Sequence, residues 1–176
     1  MLGGEERAGW LKSEELIREK AGVVPGMTCV DLGCGAGTFS LPLAKAVGEK
    51  GKVYAVDTNP GALDVLREKD PPSNLVIMQK DAAATGLDAS IADVCLMVLF
   101  LHEVPPEGVV AEAYRLLKPG GKAVVLEWRM DYGSPQPPKN ERIDRDPMER
   151  LLTAAGFSGF EYTEWTRAHY VATAVK

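Results

Sequence analysis

The stretch Val30-Asp31-Leu32-Gly33-Cys34-Gly35-Ala36-Gly37 joins an apolar, strand-like run to a helix-like segment that covers about 38–47. Three glycines alternate with small residues at this junction. Glycine lets the backbone turn sharply, and the N–H groups at the start of the following helix face any ligand that lies against the turn. The stretch therefore predicts a ligand-binding turn between a β-strand and an α-helix.

The rest of the chain alternates between strand-like and helix-like patterns. Such alternation favours an α/β, doubly wound fold in which helices cover both faces of a mostly parallel sheet. The runs 157–165 and 170–175 predict a closing antiparallel pair, because too few residues separate them for a parallel crossover. Lys118-Pro119-Gly120-Gly121 predicts a turn before the fifth strand. Predicted strands cover about 27–32, 52–56, 75–78, 94–99 and 122–127, and predicted helices cover about 5–20, 38–47, 60–69, 106–117 and 146–155.

Three aspartates lie at the ends of successive predicted strands and indicate the kind of ligand. Asp57 comes twenty residues after Gly37, where a carboxylate can accept both hydroxyls of a ribose. A dinucleotide would bring a pyrophosphate to the glycine turn, and Asp31 would repel it. S-adenosylmethionine instead brings an α-ammonium group, which Asp31 would attract. Together with Asp81 on the same edge, these residues predict a nucleoside-containing cofactor and favour S-adenosylmethionine.

Five segments resemble the successive motifs of class I S-adenosylmethionine-dependent methyltransferases, and most closely those of small relatives of the ubiquinone/menaquinone-biosynthesis methyltransferases. The resemblance runs from about Met27 to Phe157. It implies a Rossmann-like, seven-stranded sheet whose last strand is antiparallel, with S-adenosylmethionine as cofactor and S-adenosylhomocysteine as product. The segments are VDLGCGAGTFS (30–40), VYAVDTNP (53–60), QKDAA (79–83), ADVCLMVLFLHEV (92–104) and EAYRLLKPGGKAVVLEW (112–128).

The resemblance also implies a cofactor role for residues at the ends of four strands. Contacts to the methionine part fall on Asp31, Gly33 and Gly35, and the turn is completed by Cys34, Ala36 and Gly37. The ribose is held by Asp57, with Thr58 beside it. The adenine amino group is accepted by Asp81, with a backbone contact from Ala82, and Val98 lines the methionine side.

The sequence indicates the catalytic and acceptor-binding residues less clearly than the cofactor-binding residues. Methyl transfer is an in-line displacement that gains much from alignment and exclusion of water, so it needs no obvious catalytic residue. His102, after the fourth strand, is the candidate general base, or else it orients its loop by hydrogen bonding. Related proteins often carry a second histidine where this chain has Glu103, which weakens an inherited catalytic role for this segment.

Two further side chains are candidates for the acceptor side. Trp128 either walls the acceptor pocket or packs at the strand end, and Arg142 either pairs with an anionic acceptor or lies in solvent. The Pro-rich loop 132–142 is expected near the acceptor. A helix within 1–22 is expected to dock on the domain and is a candidate lid.

Length, charge and cysteine usage limit the function classes. The 176 residues suit a single domain, 1–176, and 25 acidic against 20 basic side chains give a net charge of −5. We therefore expect a small-molecule acceptor and no nucleic acid. The longest apolar run, 94–101, is too short for a membrane span, and 1–10 lacks the pattern of an export signal. Three cysteines without metal-ligand spacing predict no metal site and a reduced, cytoplasmic protein.

Two other functions use the same cofactor motifs. A non-catalytic S-adenosylmethionine-binding module, which senses the cofactor or serves a partner protein, shares every one of them. A nicotinamide-dependent oxidoreductase is less favoured for two reasons. Asp31 would repel a pyrophosphate, and Thr38 occupies the position where the dinucleotide-binding pattern G-x-G-x-x-G has its third glycine.

Overall fold

A computed structural model describes residues 9–176 of the chain, in which seven strands form one sheet. The strands are β1 Thr28–Leu32, β2 Lys52–Asp57, β3 Leu75–Gln79, β4 Ala92–Val98, β5 Leu117–Trp128, β6 Ser158–Glu164 and β7 His169–Val175. Their order in the sheet is β3-β2-β1-β4-β5-β7-β6. The first five strands pair in parallel, and β7 lies antiparallel to both β5 and β6. The predicted doubly wound sheet with an antiparallel last strand is confirmed.

Helices pack on both faces of this sheet. They are α1 Ser13–Leu16, which a π-helical turn Ile17–Ala21 continues, α2 Ser40–Val47, α3 Pro60–Arg67, α4 Pro106–Leu116 and α5 Arg145–Ala154. The helices α1 to α3 share one buried core, to which β1 contributes Cys29. The helices α4 and α5 share the other core, to which β1 contributes Val30. Successive side chains of a strand point to opposite faces, so the apolar strands predicted from the sequence supply both cores.

Local sequence accounts for most of these boundaries. The side chain of Asn59 caps α3 by accepting a hydrogen bond from the Ala62 N–H at 3.2 Å, and Pro60 takes the first helical position. Of the predicted N-terminal helix over 5–20, residues 9–11 are helical, Lys12 interrupts the helix at φ +53°, the helix resumes at Ser13, and residues 5–8 lie outside the described part of the chain.

The fifth strand differs from the prediction. It begins at Leu117 rather than Lys122, and so includes the segment predicted as a turn. Leu117 pairs with Ala92 and Lys122 pairs with Val94, so the intervening residues bulge out of the ladder. Gly120, at φ +79°, supplies the left-handed backbone that such a bulge requires. The proline and glycines therefore shape the strand without interrupting it.

The irregular segment 129–144 connects β5 to α5 and contains the predicted Pro-rich loop. A short 3-10 helix, Leu101–Glu103, follows β4 and was not predicted. No helix within residues 9–176 combines the length and the apolar character that crossing a membrane requires.

Candidate functional site

The glycine turn lies at the carboxyl end of β1, and its three glycines serve different purposes. All three have positive φ, at +72° for Gly33, +52° for Gly35 and +81° for Gly37. A Cβ on Gly33 would lie 2.5 Å from the Phe100 ring, and one on Gly37 would lie 2.3 Å from a Leu66 methyl carbon. A Cβ on Gly35 would meet nothing within 4 Å. Gly33 and Gly37 are thus required for close packing, whereas Gly35 leaves open space above the turn.

Asp31 is the buried acid of this turn. Its carboxylate is 1% exposed and accepts a hydrogen bond from the Ser40 hydroxyl at 2.5 Å. Burial raises the pKa of Asp31 to about 7, Asp57 adds to the rise, and the Ser40 hydrogen bond opposes it. A cation next to Asp31 would stabilise the ionised form that burial disfavours. Ser40 is a site residue that the sequence reasoning missed, because its role depends on the helix turning back onto the strand.

Asp57 connects the turn to the neighbouring strand. One carboxylate oxygen accepts the Gly35 N–H at 2.8 Å, and the other accepts the Asn59 N–H at 2.9 Å. On the far side of the turn, the Lys69 ammonium donates to the Ala36 carbonyl at 2.6 Å. Each carboxylate oxygen keeps a further lone pair for a ligand hydroxyl.

Two adjoining cavities open along this edge of the sheet. The larger one, about 420 Å³, is lined by Asp57, Thr58, Asp81, Ala82 and neighbouring residues. The smaller one, about 260 Å³, is lined by residues that include Asp31, Cys34, Gly35, Ala36 and Val98. Gly33, Asp57, Phe100 and Glu103 line both. Every predicted cofactor-binding residue except Gly37 lines at least one of the two cavities.

The shape and charge of these cavities fit S-adenosylmethionine. The larger cavity is lined by the carboxylates of Asp57 and Asp81, which can accept hydrogen bonds from hydroxyl and amino groups, and one oxygen of Asp81 accepts the Ala83 N–H at 2.8 Å. The smaller cavity ends at the buried carboxylate of Asp31, where an α-ammonium group is favoured. An anionic pyrophosphate at the same place would be repelled.

A third cavity, of about 290 Å³, lies beside the smaller one, and we call it the acceptor cavity. Leu99 and Glu103 line both cavities. Leu99 holds φ +52°, a backbone conformation that costs a non-glycine residue of order 1–3 kcal/mol and is often found at functional sites. The remaining lining residues are His102, Trp128, Gln136, Pro137 and Glu141.

His102 is held in this cavity by a buried acid. Its Nδ1 lies 2.8 Å from Oε2 of Glu127, whose side chain is completely buried and which also accepts the Leu101 N–H at 3.0 Å. Burial of the imidazole lowers its pKa, but the hydrogen bond and the surrounding carboxylates outweigh burial and raise it above its ordinary value. Glu127 had no role in the sequence prediction, although a glutamate that ends an apolar strand was a visible signal.

Trp128 lines the acceptor cavity and belongs to a cluster of aromatic side chains. Trp128 stacks on Tyr132, with ring centroids 5.9 Å apart, and also contacts Trp10 and His169. Trp10 precedes Leu11, which is buried and lines the smaller cofactor cavity. The described part of the N-terminal segment thus lines the smaller cofactor cavity through Leu11 and contacts Trp128 through Trp10, its role as a lid stays a prediction, and residues 1–8 lie outside the described part of the chain.

Arg142 does not reach the acceptor cavity. Its side chain is buried, and its guanidinium donates hydrogen bonds to the carbonyl groups of residues 129, 132, 134 and 137 at 2.7–3.0 Å. A guanidinium with four donors already used inside the loop has little left for an anionic ligand. The predicted pairing of Arg142 with an anionic acceptor is therefore corrected: this residue organises the segment 129–144.

These observations define a class, an α/β protein with a nucleoside-cofactor site at the carboxyl edge of a doubly wound sheet. A family model described as a methyltransferase domain matches residues 30–125. The chain belongs to this methyltransferase-domain family. Among residues 9–176, no group of three His, Cys, Asp or Glu side chains is placed to hold a metal ion.

Known proteins extend the comparison. The ubiquinone/menaquinone biosynthesis C-methyltransferase UbiE of Shewanella piezotolerans is 35% identical over 115 residues, 62% of this chain and 46% of that protein. The demethylmenaquinone methyltransferase of Staphylococcus aureus is 33% identical over 129 residues, 72% of this chain and 52% of that protein. The chain thus spans about half the length of these curated relatives. A SAM-dependent methyltransferase structure from Aquifex aeolicus has a TM-score of 0.87 at 24% identity and covers 99% of both chains, which shows a shared fold.

Proposed function

We propose that this protein transfers a methyl group from S-adenosylmethionine to a small-molecule acceptor. The observation that carries the proposal is the pair of adjoining cavities at this sheet edge. Asp31 lines the smaller cavity, Asp81 lines the larger one, and Asp57 lines both. Membership of the methyltransferase-domain family supports the same conclusion.

Each residue along this edge has a defined task. Asp31 holds the α-ammonium group, Asp57 accepts the ribose hydroxyls, and Asp81 accepts the adenine amino group. When bound, the cofactor supplies a methyl group attached to a positively charged sulfur. The nucleophile of the acceptor attacks this methyl carbon in line with the C–S bond, and the sulfur leaves. Leu99 and Glu103 line both the smaller cofactor cavity and the acceptor cavity, so the two reactants would meet beside these residues.

The size of the acceptor cavity limits the acceptor. The UbiE relative is named for ubiquinone and menaquinone biosynthesis, but this chain spans only about half of that protein. A cavity of about 290 Å³ accommodates a small molecule. We expect no nucleic acid partner, because the net charge is −5, and we place the protein in the cytoplasm, where three unbonded cysteine thiols stay reduced.

Calorimetric titration with S-adenosylhomocysteine tests the cofactor site. We expect binding of one equivalent, and Asp57→Ala to weaken it by about tenfold to a hundredfold, since hydrogen bonds to a charged group contribute ~1.5–3 kcal/mol. Asp64→Ala is the matched control, because Asp64 is an exposed acid on α3 whose ion pair within residues 9–176 is with Arg67. Unchanged affinity in the Asp57 variant, with an unchanged melting temperature, would refute the assignment.

The two alternatives predict different results. An oxidoreductase would be stabilised against heat by NAD and not by S-adenosylhomocysteine, and we expect the reverse. A binding module would take up S-adenosylmethionine without turnover, whereas an enzyme releases S-adenosylhomocysteine only when an acceptor is present, which mass spectrometry detects.

A further inference from the structure

The acceptor cavity has an acidic lining. Glu103 and Glu141 contribute carboxylates, and none of the described residues that line the cavity is a lysine or an arginine. The arginines nearest in sequence are engaged elsewhere: Arg129 pairs with Asp131 and Glu164, and Arg142 binds loop carbonyls. The lining carboxylates would therefore repel an anionic acceptor.

The charge that moves during methyl transfer favours one class of nucleophile here. Transfer to a phenolate or carboxylate neutralises an anion, so such a site needs a cation to bind that anion first. Transfer to an amine leaves the positive charge on nitrogen, where the carboxylates of Glu103 and Glu141 attract it both before and after the reaction. The lining therefore suits an acceptor that is positively charged.

His102 supplies what such an acceptor requires, since an ammonium ion has no lone pair until it loses a proton. The side chain of His102 is 5% exposed and lines the cavity. Glu127 accepts a hydrogen bond from Nδ1, which fixes the tautomer of the neutral imidazole and leaves the lone pair on Nε2. The nearest carboxylate oxygen to Nε2, from Glu103, is 3.6 Å away, longer than a hydrogen bond.

We infer that the acceptor is a small amine, bound as its ammonium ion, and that Nε2 of His102 removes its proton before methylation. This rests on the proposed methyl transfer. The N–H bond breaks, the proton passes to Nε2, and the electron pair stays on nitrogen. That pair forms the new N–C bond while the C–S bond breaks and its electrons stay on sulfur. The products are the methylated ammonium ion, S-adenosylhomocysteine and protonated His102, so charge and atoms balance.

Glu127 is a positioning residue for this step, because it acts through His102. Three carboxylates face the imidazole: Glu127 from β5, Glu103 from the 3-10 helix and Glu141 from the irregular segment. Together they keep the imidazole basic despite its burial. In Glu127→Gln, the amide N–H would donate to Nδ1, so the ring proton would move to Nε2 and that nitrogen could no longer accept a proton from the acceptor.

Binding of three matched probes to the complex with S-adenosylhomocysteine tests the acceptor class. We expect benzylamine to bind at least tenfold more tightly than benzyl alcohol or benzoate, as measured by calorimetry. Glu141→Gln should weaken benzylamine binding about three- to fivefold, as a partly exposed ion pair does, and leave S-adenosylhomocysteine affinity unchanged, because Glu141 does not line the cofactor cavities. Equal or tighter binding of the alcohol or the benzoate, or failure to bind benzylamine, overturns the inference while cofactor binding stands.

The role of Glu127 has its own test. The chain contains only two histidines, so the imidazole of His102 can be followed by nuclear magnetic resonance and assigned with His102→Gln. We expect Glu127→Gln to lower the pKa of His102 and to slow benzylamine methylation at least tenfold, and Glu127→Asp to restore part of both. An unchanged pKa and an unchanged rate in a folded Glu127→Gln protein would show that Glu127 is only structural.

Discussion

The cofactor side and the acceptor side of this sheet edge are built in different ways. On the cofactor side, Asp31 and Asp57 end neighbouring strands, and backbone geometry fixes the turn between them, down to the Gly35 N–H that binds Asp57. On the acceptor side, His102, Glu127 and Glu141 come from a 3-10 helix, a strand and an irregular segment, and side chains hold them together. The cofactor side is therefore set by strand pairing and the backbone of one turn, whereas the acceptor side depends on the packing of side chains from different elements.

This difference has a consequence for substitutions. A glycine turn has few ways to adapt, so a change there acts on the whole fold. A loop held by side-chain hydrogen bonds can open without unfolding the sheet, so a change there acts on the loop first. Three predictions test this contrast, beginning with the largest expected effect.

Gly37→Ala is expected to destabilise the protein by about 2–5 kcal/mol, the sum of a left-handed backbone penalty and overpacking. The added Cβ would lie 2.3 Å from a methyl carbon of Leu66, whose side chain is completely buried, so the core around it must shift. Gly35→Ala is the matched control and should cost only about 1–2 kcal/mol, because its Cβ meets nothing within 4 Å. Urea unfolding measures both, and equal losses would refute the packing argument.

Asp31 should make the stability of the ligand-free protein depend on pH. Its pKa is about 7 in the folded protein, mainly because of burial, and near 3.8 otherwise. The folded state therefore binds the proton more tightly, so this stabilisation is complete below about pH 4 and is lost as the pH rises through 7. The loss approaches about 4 kcal/mol at most.

The measurement is urea unfolding of the wild type and Asp31→Asn between pH 5 and pH 8. We expect the stability difference between the two proteins to shift in favour of the variant as the pH rises. A difference that stays constant over this range would show that Asp31 ionises as readily in the folded protein as in the unfolded chain.

Arg142→Ala should affect the acceptor side with the smallest loss of global stability. Removing the guanidinium frees four loop carbonyls, and we expect a loss of about 2 kcal/mol or less, because solvent can rehydrate those groups. Limited proteolysis should become faster within 129–144 while S-adenosylhomocysteine affinity stays within twofold. Arg150→Ala, at an exposed position on α5, should change neither property. Cleavage elsewhere, or loss of cofactor binding, would contradict the division between the two sides.

Much of the fold could be predicted because its signals are local. The apolar runs of β1 and β4, the cap at Asn59 and the glycine turn each depend on residues within a few positions. The start of β5 was wrong because a proline and two glycines in a row indicate a turn, and only pairing with β4 shows that they form a bulge.

The sequence by itself determined the doubly wound sheet and the carboxylates of its cofactor edge, because parallel strands bring their carboxyl ends to one edge whatever the loops do. Only the tertiary structure decided that Glu127 fixes His102 and that Arg142 turns into its own loop. The physical reason is that strand geometry alone brings the cofactor carboxylates together, whereas the His102–Glu127 contact joins a side chain of the 3-10 helix to one of β5, and no local pattern indicates which side chains packing will bring together.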